Sequence, residues 1–400
     1  MGFRLIYGND AEKLLDRLAE RLRAPVAAAS LLEPEIVLVP QFGLRRWLEI
    51  RLAEKLGIVA NVDFYAPAEY AWELLRAAHP ELSETSRFDR RLLRWRIFAE
   101  LALLAGDPRF ASLHALLGDG EPGTRLHLAT ELAQLFERYL AYHGDLLARW
   151  QRGADAQDWQ AQLWRRLIAA IDETHRADLL DGYVRRFAAS HTPPPGLPQR
   201  LAAFACTNIS PDLLRFYGFV ARHCELDFLM PNPCRAYWGD VKSERARLRE
   251  FGAAAFAAEE NPLLAGYGYA GQQFVAQLFS YEDVQPLESE DDELWNAHPG
   301  DTLLRRVQRD ILDRAPPMAC ITKNDTSIQF HVCTSRLREV QVLHDQLVAL
   351  FQDDDKLDPR DVAIMAPNIG AYAPYIEAVF GGIARGDPRY LPYTLNTASI

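Results

Sequence analysis

The chain begins with a strand pattern that runs directly into a helix, and this arrangement limits the folds open to it. Residues 3–7 are mostly apolar, and Gly8, Asn9 and Asp10 separate them from a helical pattern. In a nucleotide-binding protein this turn holds a phosphate loop, which needs several glycines, a Lys that reaches the phosphates, and a Ser or Thr for Mg²⁺. The turn has one Gly and neither of the other groups. It predicts a nucleotide-binding framework that lacks the residues for binding nucleotide.

Strand and helix patterns alternate from residue 3 to about residue 65. A helix is predicted after Asp10, a strand over residues 36–39, and a second amphipathic helix over residues 44–56. Short apolar strands separated by helices are typical of a parallel sheet that is covered on both faces. The sequence therefore predicts an α/β fold.

A long helical region interrupts this alternation. Residues 67–191 show helical periodicity without a convincing strand, and three consecutive prolines at 193–195 end the pattern, because proline cannot continue a helix. Strands are then predicted over residues 201–206 and 226–230. We therefore expect one sheet that a helical insertion divides in sequence.

A second α/β unit is predicted near the end of the chain. Acidic residues between 282 and 293 are typical of a solvated linker. Strands are predicted over residues 327–332 and 362–365, with a helix between them, and Ile400 cuts this unit short. The predicted segments are residues 1–66 and 197–320 for the first domain with its linker, 67–196 for the helical insertion, and 321–400 for the start of the second domain.

Composition excludes several classes of protein. The net charge of −11 argues against a uniformly basic surface, although a basic channel inside an acidic exterior remains possible. Cys206, Cys224, Cys234, Cys320 and Cys333 lack the paired spacing of a zinc site or a disulfide framework. No leader and no membrane-length apolar run is present. We expect a cytoplasmic protein that does not enter a membrane.

The sequence lacks catalytic residues at the positions where an ATPase of this fold would need them. No predicted strand ends in the acidic pair that positions Mg²⁺ and water in an ATPase. Lys13 is most simply a solvated lysine on a helix surface, and His331 a half-buried strand residue. Residues 353–355 are three aspartates whose simplest role is to cap and solvate a turn. We predict no catalytic activity, metal or cofactor in this chain.

Arginines beside aromatic residues give a diffuse indication of nucleic-acid binding. Arg45 and Arg46 precede Trp47 at the start of a predicted helix. Guanidinium groups pair with phosphates, and aromatic rings stack on unpaired bases. Composition alone favours the simpler interpretation, that these arginines form the polar faces of amphipathic helices. The other clustered arginines are Arg87, Arg90, Arg91, Arg94 and Arg96 beside Trp95, and Arg165, Arg166, Arg176, Arg185 and Arg186.

Several longer strings resemble the RecC family, the gamma chains of bacterial exodeoxyribonuclease V. Their order and spacing match across essentially the whole chain. The strings are residues 57–64 (GIVANVDF), 232–240 (NPCRAYWGD), 261–265 (NPLLA), 330–333 (FHVC), 338–345 (REVQVLHD) and 389–393 (RYLPY). Family members are far longer than 400 residues, so the resemblance covers their amino-terminal part.

The resemblance implies an inactivated superfamily 1 helicase, with RecA-like domains that have lost their ATPase motifs. It also implies a heterotrimer with a RecB-like helicase-nuclease and a RecD-like helicase, which would hold the ATP and Mg²⁺. Such a complex processes double-strand breaks for recombinational repair. The gamma chain splits duplex DNA ends, guides the strands and scans one of them for the Chi sequence.

The resemblance further implies a set of residues that line the scanning channel. Trp72, Leu135 and Arg176 keep the family pattern. Pro40, Phe42 and Arg46 depart from it, because they replace uncharged hydrogen-bonding side chains, so a different DNA sequence is expected. The matching positions are Pro40, Phe42, Arg46, Ala66, Trp72, Gln134, Leu135, Glu137 and Arg176. Together with Arg45 from the arginine pattern, the predicted DNA-binding residues are Phe42, Arg45, Arg46, Trp72, Gln134, Leu135, Glu137 and Arg176.

Two other interpretations stay open. The chain is a protein-interaction scaffold for the helicase-nuclease partner if this part makes no direct DNA contact. An autonomous ATP-driven helicase is much less compatible with the sequence, since every phosphate and metal ligand is missing.

Overall fold

The computed structural model describes most of the chain, in two compact units. The first unit consists of Met1–Asp301 with Arg305–Ala319, and the second of Thr302–Leu304 with Cys320–Ile400. The described residues are 2–24, 33–104, 107–111, 113, 117, 121–190, 192–242, 244–251, 260–281, 284–286, 292–317 and 324–395.

The first unit contains a six-stranded sheet with the spatial order β3-β2-β4-β5-β1-β6, and every neighbouring pair is parallel. The strands are β1 (Gly2–Gly8), β2 (Glu35–Leu38), β3 (Val62–Tyr65), β4 (Arg200–Phe204), β5 (Glu225–Pro231) and β6 (Val284–Pro286). The sheet is thus divided in sequence between β3 and β4, as predicted. The prediction of a solvated linker over residues 282–293 was wrong at residues 284–286, which form β6 and pair with β1 at one edge of the sheet.

Helices make up most of the rest of the chain. Among the described residues, the helices that begin before residue 200 are α1 (Ala11–Arg23), α2 (Phe42–Leu56), α3 (Pro67–Ala78), α4 (Arg90–Leu103), α5 (Pro122–Tyr142), α6 (Gly144–Gln151), α7 (Trp159–Ala170) and α8 (Arg176–Ala188). Those that follow are α9 (Pro211–Val220), α10 (Glu244–Phe251), α11 (Pro262–Tyr267), α12 (Tyr269–Leu278), α13 (Leu303–Leu312), α14 (Arg336–Asp353) and α15 (Ala373–Val379). In the described part of the chain, no helix has the length and apolar character needed to cross a membrane.

Helices cover the sheet on both faces. Alternate strand residues point to opposite faces, so Ile36 and Leu38 join one core while Val37 and Val39 join the other. Apolar residues of α1 and α2 pack on the second of these faces, and those of α3, α8, α9 and α12 pack on the first. This double cover explains why the central strands are almost continuously apolar.

The helical insertion has a core of its own. Trp164 of α7 lies in this core together with apolar residues of α4 and α5. It is fully buried and stacks on Phe136 with ring centroids 5.4 Å apart. The outer helices of the predicted insertion, α3 and α8, instead contribute to the sheet core. The insertion is therefore anchored to the sheet through its first and last helices.

The second unit has a small core around α14. The buried apolar residues of this core are, among the described residues, Val340, Leu347 and Phe380. The prediction of strands over 327–332 and 362–365 was wrong. None of the described residues 324–395 belongs to a strand. A strand needs a neighbour for its backbone hydrogen bonds, and none is present in this described region.

Candidate nucleic-acid interface

The turn between β1 and α1 is covered by a later part of the chain, which we name the covering segment (residues 293–298). The side chain of Asn9 accepts a hydrogen bond from the backbone N–H of Asn296 at 2.6 Å and donates one to its carbonyl oxygen at 2.9 Å. Lys13 donates from Nζ to the carbonyl oxygen of Trp295 at 3.0 Å. The prediction of Lys13 as a solvated lysine was therefore wrong. Groups that would face a phosphate here face the protein's own backbone.

Close packing reinforces this cover. A Cβ atom at Gly8 would lie 2.3 Å from the carbonyl oxygen of Leu294, well inside van der Waals contact. Leu294 is only 3% exposed and belongs to the same core as the leucines of α1. Trp295 meets the ring of Tyr7 edge-on, with centroids 5.9 Å apart. Because Gly8 has no side chain, the backbone of the covering segment can pack directly against the turn.

His298 forms the far end of the covering segment. Its Nε2 atom lies 2.9 Å from Nδ2 of Asn9, an atom that can only donate, so a neutral imidazole fits this contact. Burial lowers the pKa of His298 below its ordinary value of 6.5, and the nearby charge of Arg305 lowers it further, while Asp10 acts in the opposite direction. The covering segment therefore closes on Asn9 with a histidine that is neutral at pH 7.

The helices that follow β2, β3 and β4 begin at one edge of the sheet, because all strands are parallel. Helix α2 begins with Phe42, whose side chain lies outside the described residues. Arg45 and Arg46 lie in its first turn and reach Glu49 at 2.9 and 3.5 Å. Arg46 is 67% exposed, and the guanidinium of Arg45 also lies over the ring of Phe64, 5.7 Å from its centroid.

Ala66 and Pro40 occupy the ends of the adjacent strands. Ala66 is the N-cap residue of α3, directly after β3, and is exposed. Pro40 follows β2 and is also exposed. These two predicted channel positions therefore lie at the carboxyl edge of the sheet together with the start of α2.

Trp72 is held from within the protein. Its indole N–H donates to the carbonyl oxygens of Ser83 and Glu84, each at 3.2 Å, and its ring packs against the sheet core. Glu173 fixes the connecting segment, because it accepts hydrogen bonds from the hydroxyl of Ser86 at 2.8 Å and from the N–H of Arg87 at 2.7 Å. The partly exposed indole thus has one orientation.

Arg176 is also fixed near the carboxyl edge. It is the first residue of α8 and donates to Asp212, in the first turn of α9, at 3.0 Å. Its Nε atom is buried without an acceptor. The guanidinium is therefore only partly satisfied by the protein.

Gln134, Leu135 and Glu137 lie on α5. Leu135 packs against the core of the insertion, Gln134 is half-buried, and exposed Glu137 lies 3.7 Å from Arg90. Helix α5 contacts both α8 and α9, the helices that carry Arg176 and its partner. The predicted residues thus occupy two neighbouring regions, the carboxyl edge of the sheet and one helix of the insertion.

Many of the clustered arginines serve the fold. Arg166 pairs with Glu100 at 2.9 Å, and Arg165 donates to the carbonyl oxygens of Trp150 and Ala154. These contacts agree with the simpler interpretation of the arginine pattern at these positions. They remove Arg165 and Arg166 from the candidate DNA contacts.

Other reactive groups have structural surroundings. Among the described residues, no group of three or more His, Cys, Asp or Glu is arranged to hold a metal ion. Asp354 accepts a hydrogen bond from the N–H of Lys356 at 3.0 Å, which agrees with the predicted turn. His331 is exposed, so its prediction as a half-buried strand residue was wrong. Burial raises the pKa of the Cys224 thiol to about 12, and Cys224 is therefore an inert core residue.

Comparison with known proteins gives a consistent family. Residues 3–314 match the family model described as RecC, N-terminal domain. The RecBCD enzyme subunit RecC of Escherichia coli is 33% identical over 98% of this chain and 39% of that protein. The subunit of the same name from Haemophilus influenzae is 27% identical over 98% of this chain and 40% of its own length, and that from Mycolicibacterium smegmatis is 30% identical over 95% and 34%. The chain thus spans between about a third and two fifths of the length of these relatives.

Proposed function

Because this chain belongs to the RecC family, we propose that it is a non-catalytic, DNA-guiding subunit of a RecBCD-type helicase-nuclease that processes double-strand breaks for recombinational repair. Its relatives are subunits of the RecBCD enzyme by name. The partners are then a RecB-like helicase-nuclease and a RecD-like helicase, which supply ATP hydrolysis and Mg²⁺. The framework of this chain is that of an inactivated helicase.

The covered turn between β1 and α1 is the observation that carries this proposal. A phosphate loop needs its backbone N–H groups and its lysine free to surround phosphates. Here Asn9 and Lys13 bind the backbone of Asn296 and Trp295 instead. Nucleotide binding at this turn would require the covering segment to leave, together with buried Leu294. This supports a chain that has a helicase-like framework but binds no nucleotide at this turn.

The carboxyl edge of the sheet supports the DNA-binding part of the proposal. Ligands of open α/β sheets bind outside the carboxyl ends of the strands. At this edge Arg46 is exposed, and the guanidinium of Arg176 is partly exposed beside Asp212. Trp72 adds a partly exposed aromatic ring of fixed orientation. A single strand that passes over these groups meets both cations and a stacking surface.

We further propose that the subunit scans this strand for a Chi-like sequence that differs from the one read by relatives. Base identity is read through donor and acceptor geometry. Phe42 can stack on a base but offers no hydrogen bond, and Arg46 suits the two acceptors of a guanine. The specificity therefore shifts toward guanine near the start of α2.

A titration of binding against salt tests the DNA-binding part. The chain is mixed with a fluorescein-labelled mixed-sequence single strand, and anisotropy is measured over a range of salt concentrations with and without MgATP. We expect log K to fall linearly with log salt, by roughly 0.7 for each phosphate contact on a single strand. Since no ATP is hydrolysed, we expect MgATP to change neither the affinity nor the free phosphate.

The variant Arg46→Ala should reduce the salt slope by roughly 0.7. Arg17→Ala is the control, because Arg17 likewise pairs with a glutamate three positions later on its own helix, but lies on α1. A flat salt response of the unaltered chain would contradict DNA binding and would favour the protein-interaction scaffold. DNA-dependent release of phosphate would contradict the non-catalytic assignment.

A further inference from the structure

Trp95 differs from the other tryptophans in its exposure. The chain has eight tryptophans, all within the described residues, and only Trp95 is classed as exposed, at 51%. It lies on α4 and meets Phe98 edge-on, with centroids 6.1 Å apart. Trp95 therefore offers the face of a large aromatic ring to a ligand in solvent.

Two arginines flank this aromatic pair. The guanidinium carbon of Arg94 lies 5.1 Å from the centroid of Trp95, and that of Arg125, on α5, lies 4.1 Å from the centroid of Phe98. The result is an alternation of cation, ring, ring and cation across the two helices. We name Arg94, Trp95, Phe98 and Arg125 the cation–aromatic ladder.

Neither cation of the ladder is paired with a carboxylate of the described residues. Neither Arg94 nor Arg125 makes an ion pair or donates a hydrogen bond among the described residues, and the Nε atom of each is buried without an acceptor. Nearby arginines of the same helices are compensated, since Arg91 pairs with Asp89 and Arg90 with Glu137. Guanidinium groups without a carboxylate partner are available to bind phosphates.

We propose that the cation–aromatic ladder binds single-stranded DNA, with phosphates on Arg94 and Arg125 and an unpaired base stacked on Trp95. This rests on the proposed function and adds a second contact region to it. Single strands are favoured over duplex because a paired base cannot present its face to an indole. They are favoured over an acidic protein segment because carboxylates would satisfy the arginines and leave the exposed ring unused.

The position of the ladder extends the predicted DNA path. Helices α4 and α5 run antiparallel, because Arg90 near the start of α4 meets Glu137 near the end of α5, while Phe98 meets Arg125 near the start of α5. At about 1.5 Å per residue, Phe98 lies roughly 12 Å along α4 from Arg90. The ladder therefore continues from the α5 residues Leu135 and Glu137 along the same helix pair.

The test compares variants of the 400-residue chain for binding to labelled oligothymidylate. The double variant Arg94→Ala/Arg125→Ala should reduce the slope of log K against log salt by roughly 1.4, because two phosphate contacts are lost. Trp95→Ala should weaken binding by roughly 5- to 150-fold at constant slope, and Trp95→Phe should restore most of this loss because a phenyl ring also stacks. Thermal unfolding of each variant shows whether it is folded.

Arg149→Ala is the matched control. Arg149 is as exposed as Trp95 and belongs to the same insertion, but it pairs with Asp155, and its removal should leave the slope unchanged. A folded double variant with an unaltered slope would overturn the ladder while the proposed function stands. An unaltered chain that binds no oligothymidylate at low salt would instead overturn the proposed function. We expect an unlabelled single strand, but not oligoglutamate, to displace the bound DNA. Binding of oligoglutamate alone would assign the ladder to an acidic partner and would overturn the proposal.

Discussion

At the residue scale, Gly8 is the position where the covering segment packs most closely on the turn between β1 and α1. A Cβ atom at this position would lie 2.3 Å from the carbonyl oxygen of Leu294. We predict that Gly8→Ala destabilises the fold by roughly 1–3 kcal/mol, because the covering segment must shift to relieve the overlap. Urea unfolding measures this change in the free energy of unfolding.

Gly182 provides the control for Gly8. It lies within helix α8, and a Cβ atom there would meet nothing within 4 Å. Gly182→Ala should therefore stabilise the protein by about 0.5–1 kcal/mol, since alanine loses less backbone freedom in a helix. Equal effects of the two substitutions would contradict the close packing of the covering segment on Gly8.

His298 makes the covering segment sensitive to acid. Its pKa lies below the ordinary value of 6.5, so the unfolded chain binds the proton more tightly and stability is lost as the pH falls below about 6.5. Besides Asn9, the groups that face it are Asp10, Arg305 and Arg309. We predict that His298→Gln weakens the decrease of the thermal midpoint between about pH 7 and pH 5. Parallel curves for the two proteins would show that His298 does not contribute.

At the element scale, the segment between α3 and α4 depends on one carboxylate. Glu173 accepts hydrogen bonds from the hydroxyl of Ser86 and the N–H of Arg87, and it also binds Ser83, whose carbonyl receives the indole N–H of Trp72. We predict that Glu173→Gln destabilises the protein by about 1–3 kcal/mol, because a neutral amide replaces charge-assisted bonds.

The control for Glu173→Gln is Glu121→Gln. Glu121 is an exposed N-cap residue of α5 whose side chain makes no capping bond. Its amide variant should unfold at the same urea concentration as the unaltered protein. If both variants unfold alike, the connecting segment does not rely on Glu173 and the orientation of Trp72 has another cause.

The strands show which elements a sequence pattern can reveal. The predicted strands that overlap β1, β2, β4 and β5 are rich in buried apolar residues. Strands β3 and β6 form the two edges of the sheet, and β3 has one buried residue where the equally long β2 has three, so the apolar signal was too weak to predict them. For the candidate site, local patterns singled out Arg45 and Arg46 as candidates, but they could not show that Lys13 would bind the backbone of Trp295, which is 282 positions away.

At the scale of the whole molecule, the two units differ in the size of their cores. The sheet of the first unit is buried on both faces and extends into a separately packed insertion. The described part of the second unit buries three apolar residues in its core, Val340, Leu347 and Phe380. Stability grows with the apolar area that a unit buries, so the second unit should be the less stable of the two.

Amide hydrogen exchange read by mass spectrometry tests this difference. Local opening free energies range from near zero to the global value, and a unit with few buried contacts opens more often. We predict that peptides from α14 lose protection much earlier than peptides from β1 and β5, and that peptides over residues 327–332 show almost none, because Phe330 is 91% exposed and its backbone has no neighbouring strand. Equal protection of α14 and β5 would instead mean that the small core is sufficient, and protection over 327–332 would mean that this segment finds a strand partner in solution.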